Sequence, residues 1–203
     1  LRDRLALLGL GQPTATGFPG EEEGFLPSYA TWRDLDRAAL SYGYNLNITT
    51  IQLAQAYTVF ANGGVLQPLT LLAEGVTPRP VRIFKEDTVK KVLPMLQTVT
   101  EKGGTAQRAQ IPMYHVGGKT GTTMKYADGS YASRQYISSF VGLAPIANPR
   151  FVMAISVDDP RSQRYFGGQV AAPVFADVMD DVMRIYDVPP DKLDQSMLAG
   201  RAN

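Results

Sequence analysis

The part of the chain that most constrains its fold lies between Tyr114 and Val157. Three runs rich in apolar, β-branched and hydroxyl-bearing residues are separated there only by short turn signals. Tyr114 to Thr123 reads as a first strand. Met124 to Ser133 reads as a polar hairpin loop around Asp128-Gly129. Gln135 to Ala144 reads as a second strand stopped by Pro145, and Arg150 to Val157 as a third, after the Asn148-Pro149 turn. Parallel pairing needs a crossover of about a dozen residues or more, usually helical, and these connections offer none. The expected product is an antiparallel meander.

The first run contains Gly118-Lys119-Thr120-Gly121-Thr122. Lys119 brings a compact positive point charge. Thr120 and Thr122 are two residues apart, so on a strand their hydroxyls share one face. Gly121 has no Cβ and lets another chain come close to the backbone. This is the chemistry of a strand edge that receives an extended, anionic ligand.

Helical patterns surround the meander. Leu1, Leu5 and Leu8 recur at helical spacing and end at Gly9 and Gly11. Gly11 to Pro27 reads as irregular, solvent-facing chain carrying the acidic run Glu21-Glu22-Glu23. Thr31 or Asp34 is positioned to cap a helix around Asp34 to Ser41, and Trp32 reads as a packing anchor. The clearest early helix, Ile51 to Asn62, is capped by Thr49 or Thr50 and stopped at Asn62-Gly63-Gly64. Val65 to Ala73 and Val81 to Phe84 read as short strands or extended links, with a turn at Thr77 to Pro80. Glu86 to Thr100 carries an amphipathic stripe of Val89, Val92, Leu93, Leu96 and Val99 around an internal Pro94. Gly103-Gly104-Thr105-Ala106 reads as a loop. Arg161 to Gly168 reads as a loop carrying Tyr165 and Phe166. A long helix is expected from Ala171 to Tyr186, with Pro173 in its first turn. Residues 1–186 are expected to form one domain, and 187–203 a polar, mobile tail.

Composition removes several function classes. Cysteine is absent, which excludes disulfides, thiol catalysis and cysteine-based metal sites. A single histidine, His115, excludes a multi-histidine metal site and leaves only one base for a serine–histidine pair. The plainer reading of His115 is a strand residue with a satisfied ring. Twenty basic and nineteen acidic side chains give a net charge of +1, so nothing points to nucleic acid. No run of about 18 apolar residues is present to span a bilayer. No metal or other cofactor is expected.

Taken together, a helical half followed by a meander with Lys-Thr-Gly-Thr on its first strand resembles the transpeptidase domain of class B penicillin-binding proteins. The resemblance covers nearly the whole chain. It rests on Gly17-Phe18-Pro19-Gly20-Glu21, Ser41-Tyr42-Gly43-Tyr44-Asn45-Leu46 and the stretch Thr49 through Gly64. It also rests on Gly118 through Thr122, Val141-Gly142-Leu143-Ala144-Pro145, and Tyr165-Phe166-Gly167-Gly168 before Ala172-Pro173-Val174-Phe175. The Ser-Tyr-Gly-Tyr and Gly-Phe-Pro-Gly-Glu wordings resemble the division (septal) branch, with the elongation branch as the alternative. Asn45 stands where that family usually has glycine.

The resemblance implies an α+β fold: a β-lactamase/transpeptidase-like antiparallel sheet flanked by helices, of which this chain carries only the C-terminal strands and helices. It implies acyl transfer through a serine acyl-enzyme, cross-linking peptidoglycan stem peptides that end in D-Ala-D-Ala, with β-lactams as mimics of that end. Lys119 would support the serine motifs and add positive potential. Thr120, Gly121 and Thr122 would bind the substrate carboxylate and strand, and the Thr122 backbone N–H would be one oxyanion donor. Tyr136, Tyr165 and Phe166 would wall the acyl side chain or, alternatively, only pack their loop. The family's chemistry also needs a Ser-x-x-Lys pair and a Ser-x-Asn motif, and neither occurs in this sequence. The resemblance places both in a segment upstream of Leu1, together with the first strands of the sheet and a membrane anchor. The domain is then expected on the periplasmic side of the bacterial inner membrane, working with division-complex membrane proteins that include a glycan polymerase. The alternatives are a β-lactam-sensing or binding module of the same fold, and an interaction protein that never carried the serine.

Overall fold

The computed structural model describes residues 1–28, 33–72, 79–127, 130–161 and 164–192. The expected Thr31 cap and Trp32 anchor, residues 77–78 of the expected turn, and the Asp128-Gly129 turn lie outside them. The chain divides into two compact units, Leu1–Val89 and Lys90–Asn203.

The first unit is helical and loop-rich. Helix α1 (Arg2–Leu7) is followed by a turn in which the Leu10 amide returns to the Leu5 carbonyl. Helix α2 spans Asp34–Ser41. Its start is set by Asp36, not by Asp34: the Asp36 carboxylate accepts from the Arg33 amide (2.9 Å) and the Arg33 Nε (3.1 Å). The Arg33 backbone bond, then its side chain, hold that carboxyl below its ordinary range. Helix α3 spans Thr50–Ala61 and opens with a reciprocal capping box. The Thr49 hydroxyl accepts from the Gln52 amide (3.2 Å), and Gln52 Oε1 accepts from the Thr49 amide (2.8 Å).

Gln52 also ties the irregular segment before α2 to α3. Its side chain is buried, and Nε2 donates to the Gln12 carbonyl (2.7 Å) and the Glu23 carbonyl (2.9 Å). Glu21 does the same for its own loop, accepting from the amides of Ala15 (2.9 Å) and Thr16 (2.8 Å) and from the hydroxyls of Thr14 and Thr16. The stretch expected to be merely solvent-facing is therefore organised by two polar side chains that satisfy its backbone. Phe25 and Asn47 form an isolated antiparallel bridge. The expected strands after α3 shrink to a two-residue ladder, β1 (Val65–Leu66) with β2 (Val81–Arg82). Pro68 removes a donor just beyond β1, which limits the ladder.

Helix α4 (Glu86–Thr98) crosses the boundary between the units and keeps Pro94 inside it. In the second unit a single 3₁₀ turn (Gln107–Ala109) precedes β3 (Gly117–Ala127), β4 (Ser130–Ala144) and β5 (Phe151–Asp158). The sheet order is β3-β4-β5, antiparallel throughout, as the short connections require. The expected hairpin loop from Met124 to Ser133 is instead mostly strand. After a register shift between Met124 and Tyr126, pairing resumes at Tyr126 with Tyr131 and Ala127 with Ser130. A bulge lets the ladder continue where composition suggests a loop.

Helix α5 spans Gly167–Ile185, four residues longer at its start than expected, so Pro173 is its seventh residue rather than part of its first turn. Phe175, Met179 and Met183 are fully buried with Phe140, Ala106, Ala109 and Ile111, and they form the core between α5, the sheet and the 3₁₀ turn. Phe140 meets Phe175 edge to face, with ring centroids 5.0 Å apart. The chain stays packed beyond α5. Val188 is buried, its carbonyl accepts from the Tyr114 hydroxyl (2.6 Å), and the Lys192 amide donates to the Met113 carbonyl (3.2 Å). Residues 193–203 lie outside the described residues. Among the described residues, no helix is long and apolar enough to cross a membrane.

Candidate active site

Strand β3 pairs with β4 on one side and is the edge of this sheet among the described residues. Directly opposite residues share a face, and the ladder sets Thr120 against Phe140, Thr122 against Ser138 and Met124 against Tyr136. These residues line the face covered by the start of α5. Lys119, Gly121 and Thr123 alternate to the other face. The strand therefore brings the two threonine hydroxyls together, as the sequence spacing requires, and sends the lysine stem to the opposite side. Lys119 is exposed and reaches back to the edge, where Nζ donates to the Thr120 carbonyl (2.8 Å). In an antiparallel strand a residue's N–H and C=O point to the same side and those of successive residues to opposite sides. With the Thr120 carbonyl taken at the outer edge, the N–H of Thr122 points to that edge as well.

Each threonine hydroxyl already has one partner. Thr122 Oγ1 accepts from the Gly167 amide, the first of α5 (3.1 Å). Thr120 Oγ1 lies 3.0 Å from Thr105 Oγ1. Two glycines make this approach possible. A Cβ on Gly167 would stand 2.2 Å from the Ser139 carbonyl oxygen and 2.6 Å from that of Gly121. A Cβ on Gly168 would stand 1.9 Å from the Thr105 carbonyl oxygen. The helix can start against β3 and the 103–106 loop only because both residues lack side chains.

The three aromatic candidates come together at the end of the hydroxyl row. Tyr136 stacks on Tyr165 (centroids 4.3 Å, planes 14° apart), and Tyr165 contacts Phe166 (4.5 Å). The Ser138 hydroxyl, buried between them and Phe140, donates to the Tyr165 carbonyl and fixes the loop before α5. Phe166 remains half exposed, at 51%. The row Thr120, Thr122, Tyr136 thus runs from a hydroxyl pair to an apolar shelf.

His115 stands apart from this row. Its amide donates to Asp191 (2.7 Å), and its ring Nδ1 lies 3.5 Å from the same carboxylate oxygen. Among the described residues no group of three histidine, aspartate or glutamate side chains is placed to hold a metal. The sequence reading missed Thr105, Ser138 and the paired glycines as parts of this site. The Gly-Gly-Thr spacing before the 3₁₀ turn and the Ser138-Ser139 pair opposite Gly121 and Thr122 were the signals available.

The family model described as "Penicillin binding protein transpeptidase domain" matches residues 1–180. The chain belongs to this transpeptidase family. Among members, it is 42% identical over 194 residues to a probable peptidoglycan D,D-transpeptidase, PbpC, of Pseudomonas aeruginosa, covering 96% of this chain and 34% of the relative. It is 37% identical over 194 residues to the peptidoglycan D,D-transpeptidase FtsI of Escherichia coli K12, covering 95% of this chain and 33% of FtsI. The solved apo structure of the TP domain of Burkholderia pseudomallei penicillin-binding protein 3 superposes with a TM-score of 0.87 at 41% identity, over 94% of this chain and 58% of that one. The chain thus spans about a third of the length of the curated transpeptidases it matches. The antiparallel sheet and flanking helices are the transpeptidase fold that the resemblance implied.

Proposed function

We propose that this chain is the carboxy-terminal wall of a division-type peptidoglycan D,D-transpeptidase. The observation that carries the reading is the pair of hydroxyls, Thr120 and Thr122, on one face of an edge strand whose lysine returns to that edge. The names borne by FtsI of Escherichia coli and PenA of Neisseria gonorrhoeae support the reaction and the branch.

In this reaction a serine from a Ser-x-x-Lys segment elsewhere in the protein attacks the carbonyl carbon between the two D-alanines of a stem peptide. Its proton passes to the neighbouring basic groups, the tetrahedral oxyanion collapses, and D-alanine leaves as the protonated amine. An amine of a second stem peptide then attacks the acyl-serine and completes the cross-link. Lys119 adds positive potential beside the serine motifs. Thr120 and Thr122 donate to the terminal carboxylate, and the substrate lies along the edge of β3 at Gly121. The backbone N–H of Thr122 is one of the two donors to the oxyanion. Tyr136, Tyr165 and Phe166 form the shelf for the acyl side chain. β-Lactams acylate the same serine. The domain works on the periplasmic side of the bacterial inner membrane, alongside the division complex and its glycan polymerase.

The test uses the full-length protein. A labelled penicillin should acylate it, and a pentapeptide ending in D-Ala-D-Ala should release D-alanine. Lys119→Ala should slow acylation by about a hundredfold, the scale on which removal of one pre-organised electrostatic partner acts. Absence of penicillin labelling would overturn the reading. Labelling without D-alanine release would favour a β-lactam sensor of the same fold. An unchanged acylation rate in Lys119→Ala would remove that lysine from the mechanism.

A further inference from the structure

The hydroxyl pair does more than present two oxygens. A threonine hydroxyl has one proton and two acceptor lone pairs. At Thr122 the protein fills an acceptor position with the Gly167 N–H, 3.1 Å away. That leaves the Thr122 proton and one lone pair, and an acceptor-only ligand can use only the proton. At Thr120 the partner is the Thr105 hydroxyl, 3.0 Å away, and either oxygen can be the donor. An anion decides the direction. A carboxylate has no proton to give, so Thr120 must turn its own proton to the ligand, and the contact with Thr105 is then made only by the Thr105 proton.

We propose that Thr105 is a positioning residue for the carboxylate end of the substrate: its hydroxyl donates to Thr120, so that Thr120 and Thr122 both present protons to one acceptor-only group. The inference rests on the transpeptidase reading and deepens it.

Two features hold Thr105 in place for this role. The Ala106 amide donates to the Val99 carbonyl (2.8 Å) and anchors the loop that carries Thr105. The Thr105 carbonyl lies where only a glycine, Gly168, can sit opposite it. The side chain itself is exposed, so water can fill the acceptor positions of its hydroxyl while its proton goes to Thr120. A chain of hydroxyl donors ending on an anion strengthens each bond in it. The same arrangement disfavours a ligand that needs to donate. A carboxamide in place of the carboxylate would offer only its carbonyl oxygen as an acceptor, so its N–H₂ could not take up a second hydroxyl proton.

The experiment measures acylation of the full-length protein by two probes, a penicillin with its free carboxylate and the methyl ester of the same penicillin. Thr105→Val, nearly isosteric, should weaken the free-acid probe roughly tenfold, mainly in the binding step, as expected for loss of one hydrogen bond feeding a charged acceptor. The ester should change little, so the acid-to-ester ratio should fall. Thr105→Ser, which keeps the hydroxyl, should restore the ratio. In a Thr120→Val background, adding Thr105→Val should have no further effect, because Thr105 acts through Thr120. Equal losses with acid and ester, failure of the serine variant to rescue a folded protein, or additive losses with Thr120→Val would each overturn the proposal. If the unaltered protein is not acylated by either probe, the transpeptidase reading fails and this inference falls with it. If it is acylated normally and only the Thr105 effects are absent, the transpeptidase reading stands and this inference alone is wrong.

Discussion

The first amide of α5, that of Gly167, donates to the hydroxyl of Thr122 on β3, 3.1 Å away. The longest helix among the described residues therefore begins on a candidate substrate-binding side chain, and Phe166, the residue before it, supplies no side-chain cap of its own. Thr122 acts as a cap contributed from another element. It satisfies one of the helix's unpaired N–H groups, and the positive end of the helix lies beside the row of hydroxyls.

Gly167→Ala and Gly168→Ala should each destabilise the protein by about 1–3 kcal/mol, the usual cost of forcing atoms into filled space. The reason is contact with backbone carbonyls, of Ser139 and Thr105 respectively, which cannot rotate away. Chemical denaturation of the full-length variants measures the loss. Alanine would ordinarily improve a helix, so a neutral or stabilising result would show that α5 does not start against β3 as described.

Gln52 offers a test in the other unit. Its side chain is buried and makes bonds to Thr49, Gln12 and Glu23. Gln52→Leu keeps the volume and removes every one of these partners, leaving two carbonyls and an amide unpaired. A loss of at least about 2 kcal/mol is expected. Gln52→Glu should be destabilised as well. Its carboxylate would face the carbonyls of Gln12 and Glu23, which favour the protonated form, so its deficit should shrink as the pH is lowered. A deficit independent of pH would contradict that geometry.

Tyr57 gives a pH dependence in the wild-type chain. Burial pushes its hydroxyl from an ordinary value of 10.0 up to about 12. The folded state prefers the neutral phenol, so its contribution is fully present below pH 10. It is lost as the pH rises from 10 to about 12, at up to roughly 1.4 kcal/mol per pH unit. Stability measured between pH 9 and 12 should fall in that window, and Tyr57→Phe should flatten the fall. An identical alkaline slope in the phenylalanine variant would assign the effect to other groups.

Asn45 has φ = 61°, in the left-handed region. Asparagine tolerates this conformation and glycine adopts it without cost. Asn45→Gly should leave stability unchanged or raise it by up to about 1 kcal/mol. Asn45→Val should cost about 1–2 kcal/mol, because a β-branched residue is poorly accommodated there. Thermal melting of the two variants separates the outcomes. Glycine, which the resemblance implies at that position, would adopt this conformation freely, and asparagine is a departure that the fold absorbs.

Local periodicity made much of this legible. The meander, its strand order and the shared face of Thr120 and Thr122 follow from alternation and short connections, and the structure keeps all three. The start of α5 was not legible. Gly167-Gly168 reads as a loop on intrinsic propensity, and only contact with Ser139 and Thr105 turns it into a helix N-terminus. The same limit hid Thr105, whose partner Thr120 is fifteen residues away. In the sequence Glu21 reads as part of a solvent-facing run and Gln52 has no assigned role, because nothing in a linear pattern marks which carbonyls and amides will need a partner. The polar residues after Met124 suggested a loop because composition does not reveal a bulge that restores pairing.

The register of β4 has a consequence for motion. Its partner β5 reaches only from Ala144 to Ile137, whereas β3 stays paired past the bulge to Ala127. The hairpin is thus a three-strand slab near Gly117 to Thr123 and an unsupported ribbon beyond it, joined where the register shifts between Met124 and Tyr126. Amide hydrogens of the slab that are bonded between strands should exchange with solvent only through large-scale opening, and those of residues 125–127 and 130–135 through local fraying. The hydroxyl row would sit on the slow-exchanging side of that boundary, and Tyr136 at the boundary itself.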